Sequence, residues 1–178
     1  MSMDGLTYAP DSSNGDSAAP HHDRSTLLAW WRLRSISGVG NIALNEIRSR
    51  LTNPEALSQC SPRDLIQLGL KPEQADRWHN DAALSRGFEV LEDWCLHQNQ
   101  GVLLAGTAGY PESLNILRDA PIFLWYRGNL STLQQPAIAM VGSRGASASA
   151  LEWTIDTAAE LASAGMAVVS GLALGIDG

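Results

Sequence analysis

The chain has 178 residues, 44% of them apolar and 17% charged: enough for one domain and a small second one, and too little charge for a disordered chain. Its net charge of −7 speaks against a general nucleic-acid binder. No stretch approaches the length of a membrane-spanning helix, and the start lacks the basic and apolar segments of a signal peptide. Residues 1–23 carry Asp4, Asp11, Asp16 and Asp23 with no Lys or Arg, and are predicted to be a disordered tail holding −4 of the charge. Cys60 and Cys95 form no C-x-x-C pair, so neither a disulfide framework nor a zinc site is suggested and the cytoplasm is the expected compartment.

From Ser25 to Ile36 the pattern predicts a short helix, capped by Ser25, with Leu28, Trp31 and Ile36 as its buried stripe. Gly38-Val39-Gly40 interrupts it. A second helix over about 42–51 carries Ala43, Leu44 and Ile47 on one side, and Pro54 opens another. Ser61-Pro62 starts the next with a cap and a first-turn proline, and Gly69 stops it. The longest helical run is expected from Pro72 to about His97, with Leu84, Phe88, Leu91 and Cys95 at helical spacing. Residues 24–50 set Arg24, Arg32, Arg34, Arg48 and Arg50 against Glu46 alone, a local excess of +4 that on charge alone reads as a solvated helix face.

The texture changes at residues 98–101. Val102-Leu103-Leu104 and Ile122 to Tyr126 are strand candidates, with a turn at Tyr110-Pro111 and a short helix to Leu117 between them. Ala137 to Val141 is a continuous apolar run of the kind buried on both faces of a parallel sheet. A helix over about 147–164 follows, with Leu151, Ile155, Ala158 and Ala162 as its stripe and Gly165 as its stop. Met166 to Val169 is the next strand, which makes a right-handed parallel crossover. One crossover is not a finished sheet, so the natural protein is expected to continue past Gly178.

Three segments could carry chemistry. Val141-Gly142-Ser143-Arg144-Gly145-Ala146-Ser147 lies between a strand and a helix, where ligands bind in doubly wound folds and a helix start favours an anion. Gly142 permits close backbone approach, Ser143 and Ser147 offer hydroxyls, and Arg144 supplies a fork suited to phosphate. The spacing is not G-x-G-x-x-G, and the alternative is a tight turn with a capping Ser and an exposed Arg. Ser170-Gly171-Leu172-Ala173-Leu174-Gly175-Ile176-Asp177 follows the next strand; its glycines allow a close-packed loop beside the first, and Asp177 reads more safely as a helix cap than as a ligand group. Ser37-Gly38-Val39-Gly40 between two apolar helices resembles a helix-hairpin-helix, whose amides can donate to a phosphate without reading bases; a plain turn in a protein-contact module is the equal alternative. The six tryptophans could stack on bases but mostly sit in apolar stripes, where burial fits them better. No nucleophile–base pair, convergent carboxylates or metal-ligand spacing is present.

In order, V-G-S-R at Val141–Arg144, V-V-S-G-L-A-L-G-I-D at Val168–Asp177, Y-P-E-S-L at Tyr110–Leu114 and A-P-I-F-L-W-Y-R-G-N at Ala120–Asn129 resemble the DNA-processing protein A (DprA/Smf) family. The resemblance covers residues 24–178 and implies an α/β chain: a small helical sterile-alpha-motif-like, helix-hairpin-helix domain over 24–98, then over 99–178 the first, incomplete part of an extended Rossmann-like domain. It implies sequence-independent binding of single-stranded DNA, protection of incoming DNA in natural transformation, and loading of the recombinase RecA, by a cytoplasmic homodimer that is no enzyme and needs no cofactor or membrane. By the same resemblance Arg144 contacts DNA phosphate, with Gly142, Ser143, Ser147, Ser170, Gly171 and Gly175 shaping the pocket; the hairpin reading, apart from the resemblance, offers Gly38 and Gly40 as a backbone contact. Where the family usually has a Tyr-Gly pair after V-G-S-R, this chain reads Ala148-Ser149-Ala150-Leu151. The family's A-H-x-G-A-L stretch, dimer surface and RecA-facing surface would lie beyond Gly178. The runner-up is a nucleotide-processing enzyme of the LOG-type phosphoribohydrolase group, whose P-G-G-x-G-T loop and downstream Glu do not occur in residues 1–178.

Overall fold

A computed structural model describes residues 22–178, so the expected tail lies outside the described residues except for His22 and Asp23. Asp23 belongs to the fold: its carboxylate accepts from the Ser25 amide and caps α1 (Arg24–Arg34), a role the sequence pattern assigns to Ser25. A carboxylate at this position complements both the orphan amides and the dipole of the helix start. The buried face of α1 is Thr26, Ala29, Trp30 and Leu33, one position round from the expected stripe. Leu28 and Trp31 are half-buried beside it, while Ile36 is buried beyond the helix end. The other helices of this part are α2 (Asn41–Arg50), α3 (Pro62–Gln67), α4 (Pro72–Asn80) and α5 (Phe88–Leu96), with 3-10 turns at Pro54–Gln59 and Ala82–Ser85.

The helical run expected from Pro72 to His97 is broken in two. Asp81 turns away from α4 and accepts from the Ala83 amide, and Gly87 takes φ +77 before α5 begins. Its apolar spacing is real, since Leu84, Phe88 and Leu91 are all buried, but the local cap and left-handed glycine divide the helix. The start at Ser61 and stop at Gly69 are as expected: Ser61 and Asp64 form a reciprocal capping box, and Gly69 sits at φ +116.

The chain divides into two compact units, one ending at Asn129 and one spanning Leu130–Gly178. In the first, β1 (Gln100–Leu104) pairs antiparallel with β2 (Phe123–Arg127), Val102 opposite Trp125, with the short α6 (Glu112–Asn115) between them. β1 packs on α5, so the change of texture at residues 98–101 falls inside this unit. Its core includes Trp30, Leu33, Leu44, Ile47, Leu57, Leu65, Leu91, Leu103 and Leu104. Indole N–H groups inside it find carbonyls: Trp30 donates to Pro54 and Trp78 to Ala29.

In the second unit β3 (Ala137–Ala139) pairs parallel with β4 (Ala167–Val169), and α7 (Ala148–Ser163) connects them and packs on β4. The parallel strand–helix–strand order is as expected, and so is Gly165, at φ +80, where the Met166 amide returns to the Leu161 carbonyl. Two expectations are corrected. β3 is exposed along its length, because it lies in a two-stranded sheet whose helix contacts its neighbour β4. The inward face of α7 includes Leu151, Thr154, Ala158 and Leu161, while Ile155 is 67% exposed; Thr154 fits because its hydroxyl bonds back to the Ala150 carbonyl. Roughly half of the described residues are helical and few are in strands, a mixed α/β fold.

Candidate nucleic-acid interface

Residues 140–147 leave the C-terminal end of β3, and residues 170–178 leave that of β4. Parallel pairing with Ala139 opposite Val169 puts both loops at the same edge of the sheet. They are tied together from their roots. The Met140 amide donates to the Val169 carbonyl at 2.9 Å, and the Ser170 hydroxyl lies 2.9 Å from the carbonyls of both Met140 and Asp177. Further out, the Gly142 amide donates to Asp177 Oδ1 at 2.8 Å and the Ile176 amide to the Ser143 carbonyl at 3.3 Å. The glycines permit this approach: a Cβ on Gly142 would stand 2.7 Å from Ile176 Cβ, and one on Gly175 2.2 Å from the Ser143 carbonyl oxygen.

The candidate residues therefore divide by what they touch. Arg144 projects from the tip, exposed, with no ion pair or side-chain hydrogen bond among the described residues, and it is the single basic side chain of residues 130–178. Ser143 is exposed and its oxygen accepts from the Gly145 amide at 3.2 Å, leaving its proton for another acceptor. Ser147 is the N-cap of α7: its oxygen accepts from the Ala150 amide and lies 3.1 Å from the Ser149 hydroxyl. Gly142, Ser170 and Gly175 face the partner loop, and a Cβ on Gly171 would stand 3.2 Å from Asp177 Oδ2. A basic fork and hydroxyls beside the start of a sixteen-residue helix form an arrangement suited to an oxyanion.

Two features of these loops are not apparent in the sequence. Asp177 is neither a helix cap nor a free ligand group but an acceptor across the loops. Leu172 takes φ +52 while 87% exposed, a conformation unusual for a branched residue and found preferentially at functional turns. Neither is visible without knowing which strands are neighbours.

The hairpin is a separate place, in the first unit. Gly38 takes φ +82, and the Ser37 carbonyl accepts from the Gln74 side chain. Gly40 begins α2 with open space around it. The shallow depression there is lined by Gly38, Gly40, Asn41, Ile42 and Ala43, and its charged groups are the carboxylates of Glu46 and Asp119. Much of the arginine excess of residues 24–50 is turned inward on the chain's own groups. Arg32 donates to the Trp78 carbonyl in the last turn of α4, Arg50 to the Leu68 carbonyl at the end of α3, and Arg48 to Asn45; Arg24 pairs with Glu92, and Arg34 lies over Trp31. Trp153 alone of the six tryptophans stands mostly exposed, at 66%. Burial pushes both cysteine thiols up, which favours their protonated form. Among the described residues no group of three or more His, Cys, Asp or Glu could hold a metal ion, and no helix is long and apolar enough to cross a membrane.

Paired, glycine-built loops at the carboxyl ends of adjacent parallel strands stand where open α/β sheets take their ligands. Residues 101–178 match the family described as DNA recombination-mediator protein A. The DNA processing protein DprA of Streptococcus pneumoniae is 40% identical over 98 residues, 55% of this chain and 31% of that protein. Protein Smf of Escherichia coli is 31% identical over 149 residues, 84% of this chain and 38% of that protein. The X-ray structure of S. pneumoniae DprA superposes with a TM-score of 0.59 at 27% identity, covering 84% of this chain and 50% of that one. The chain is similar to DprA/Smf proteins over these residues, and it spans about a third of the length of the curated relatives it matches.

Proposed function

We propose that this chain is part of a recombination mediator that binds single-stranded DNA, whatever its sequence, on the paired loops of residues 140–147 and 170–178. In this reading residues 99–178 are the first part of a Rossmann-like domain and residues 24–98 a sterile-alpha-motif-like, helix-hairpin-helix domain. The whole protein protects incoming DNA in natural transformation and hands it to RecA, as a cytoplasmic homodimer that catalyses no reaction. Arg144 contacts backbone phosphate, Ser143 and Ser147 donate hydroxyls, and Gly142, Ser170, Gly171 and Gly175 form the close-packed floor. Similarity to the matched family and relatives, whose descriptions name recombination mediation and DNA processing, supports the DNA-processing role. The observation that carries the site is the exposed Arg144 guanidinium, unpaired among the described residues, at the tip of two tied loops on one sheet edge. For the Gly38–Gly40 hairpin, amide contact to phosphate has to act beside the carboxylates of Glu46 and Asp119, which makes it the weaker of the two DNA contacts.

The test is fluorescence anisotropy with a labelled single-stranded oligonucleotide at several salt concentrations. Arg144→Ala is expected to weaken binding and to reduce the slope of log affinity against log salt by about 0.7, the share of one phosphate contact on a single strand. Binding unchanged at every salt concentration removes Arg144 from the interface.

A further inference from the structure

We propose that Asp177 is a positioning residue of the paired loops, holding the Arg144-bearing loop in register through the Gly142 amide; the inference rests on the nucleic-acid reading of this site. A carboxylate on a phosphate-binding surface opposes the ligand's charge, so direct contact with DNA would be unfavourable. Its own contacts give it another use. Oδ1 accepts from the Gly142 amide at 2.8 Å, and its main-chain oxygen lies 2.9 Å from the Ser170 hydroxyl, which also reaches Met140. The residues just before it continue the grip. The Ile176 amide donates to the Ser143 carbonyl, the Ile176 side chain occupies the space beside Gly142, and Gly175 lies against the backbone of Ser143 and Arg144.

Gly175–Asp177 therefore holds the first loop at Gly142, at Ser143 and at Arg144 itself. The clamp leaves the guanidinium outside, since none of these contacts uses the Arg144 side chain. It also assigns the Gly142 amide to Asp177 and not to the DNA. Asp177 Oδ1 thus takes the amide that a close-approach glycine would otherwise offer to phosphate. The negative charge is incidental to this role; the acceptor oxygen is what matters, and an amide side chain supplies one too.

The experiment compares wild type, Asp177→Ala and Asp177→Asn. Hydrogen exchange at the Gly142 and Ile176 amides is read by NMR without DNA, and affinity for a labelled single-stranded oligonucleotide is read across salt concentrations. In Asp177→Ala exchange at Gly142 should speed up on the order of tenfold, as follows from losing one hydrogen bond, and DNA binding should weaken. Asp177→Asn should restore slow exchange and bind DNA as tightly as wild type or more tightly, one repelling charge having gone. The proposal is overturned by unchanged Gly142 exchange in Asp177→Ala. It is equally overturned if Asp177→Asn, folded by circular dichroism, fails to restore slow exchange, or if Asp177→Ala loosens the loop yet binds like wild type. A wild-type protein that binds no single-stranded DNA while the exchange pattern holds overturns the nucleic-acid reading and leaves the clamp standing.

Discussion

At Gly175 two constraints coincide. Its φ of +94 lies where L side chains are strained, and an added Cβ would fall 2.2 Å from the Ser143 carbonyl oxygen and 2.7 Å from Arg144 Cα, both backbone atoms. Backbone cannot swing aside as a side chain does, so Gly175→Ala is expected to force the loops apart, with strain of about 1–3 kcal/mol. Gly145, three residues past Gly142, has nothing within 4 Å of a Cβ and no positive φ, so Gly145→Ala should leave the loops intact. Amide exchange at residues 140–147 separates the two: faster in the first variant, unchanged in the second. Which residues form these loops was legible in the sequence, because glycines around small residues after an apolar run mark a strand end. Their individual work was not. Ser170 could be read as shaping a ligand pocket and Asp177 as a cap because local patterns suggest local partners, whereas their observed partners lie across the loops or at the root of the neighbouring strand. The same holds for Arg32 and Arg50, whose charge was plain and whose targets, carbonyls at the ends of other helices, were not.

Among the elements of the first unit, helix starts rest on carboxylates and hydroxyls. Asp23 caps α1, Asp64 closes the capping box of α3, and Asp81 turns the chain after α4. Hydrogen bonds from Ser25, from Ser61 and from the Ala83 amide hold these three carboxyls below their ordinary value of 3.8. A carboxyl lowered on folding contributes stability that is full above its unfolded value and is lost as pH falls through its folded value. The thermal midpoint of this unit is thus expected to hold near neutrality and to drop below about pH 4, and Asp23→Asn with Asp64→Asn and Asp81→Asn should flatten that drop; an unchanged profile in the triple variant would locate the acid sensitivity elsewhere. Ser61→Ala, which removes the hydroxyl from the box, should cost about 1 kcal/mol at pH 7, read from urea unfolding. The start at Ser61 and the stop at Gly69 were legible because such signals are local. The break at residues 81–87 was obscured by apolar residues that keep helical spacing across it and are buried on both sides. The α7 face differs by one step from the expected stripe because Thr154 looks polar and is buried with its hydroxyl satisfied within the helix.

For the whole molecule, charge opposes the proposed ligand. The chain carries −7, and the segment with the paired loops holds Arg144 against Glu152, Asp156, Glu160 and Asp177. Long-range attraction therefore contributes little to binding, and contact at the loop tips has to supply affinity. Residues 1–21 hold Asp4, Asp11 and Asp16, so removing them takes the net charge from −7 to −4. Repulsion between a polyanion and these carboxylates acts over a Debye length, about 10 Å at 0.1 M salt and about 3 Å at 1 M. Deleting residues 1–21 is expected to raise single-strand affinity at low salt, mainly through a faster association rate, and to make no difference near 1 M. Stopped-flow association at the two salt concentrations checks it. A gain that persists at high salt would mean that the segment blocks the interface by contact, and no gain at low salt would mean that its charge does not reach the DNA.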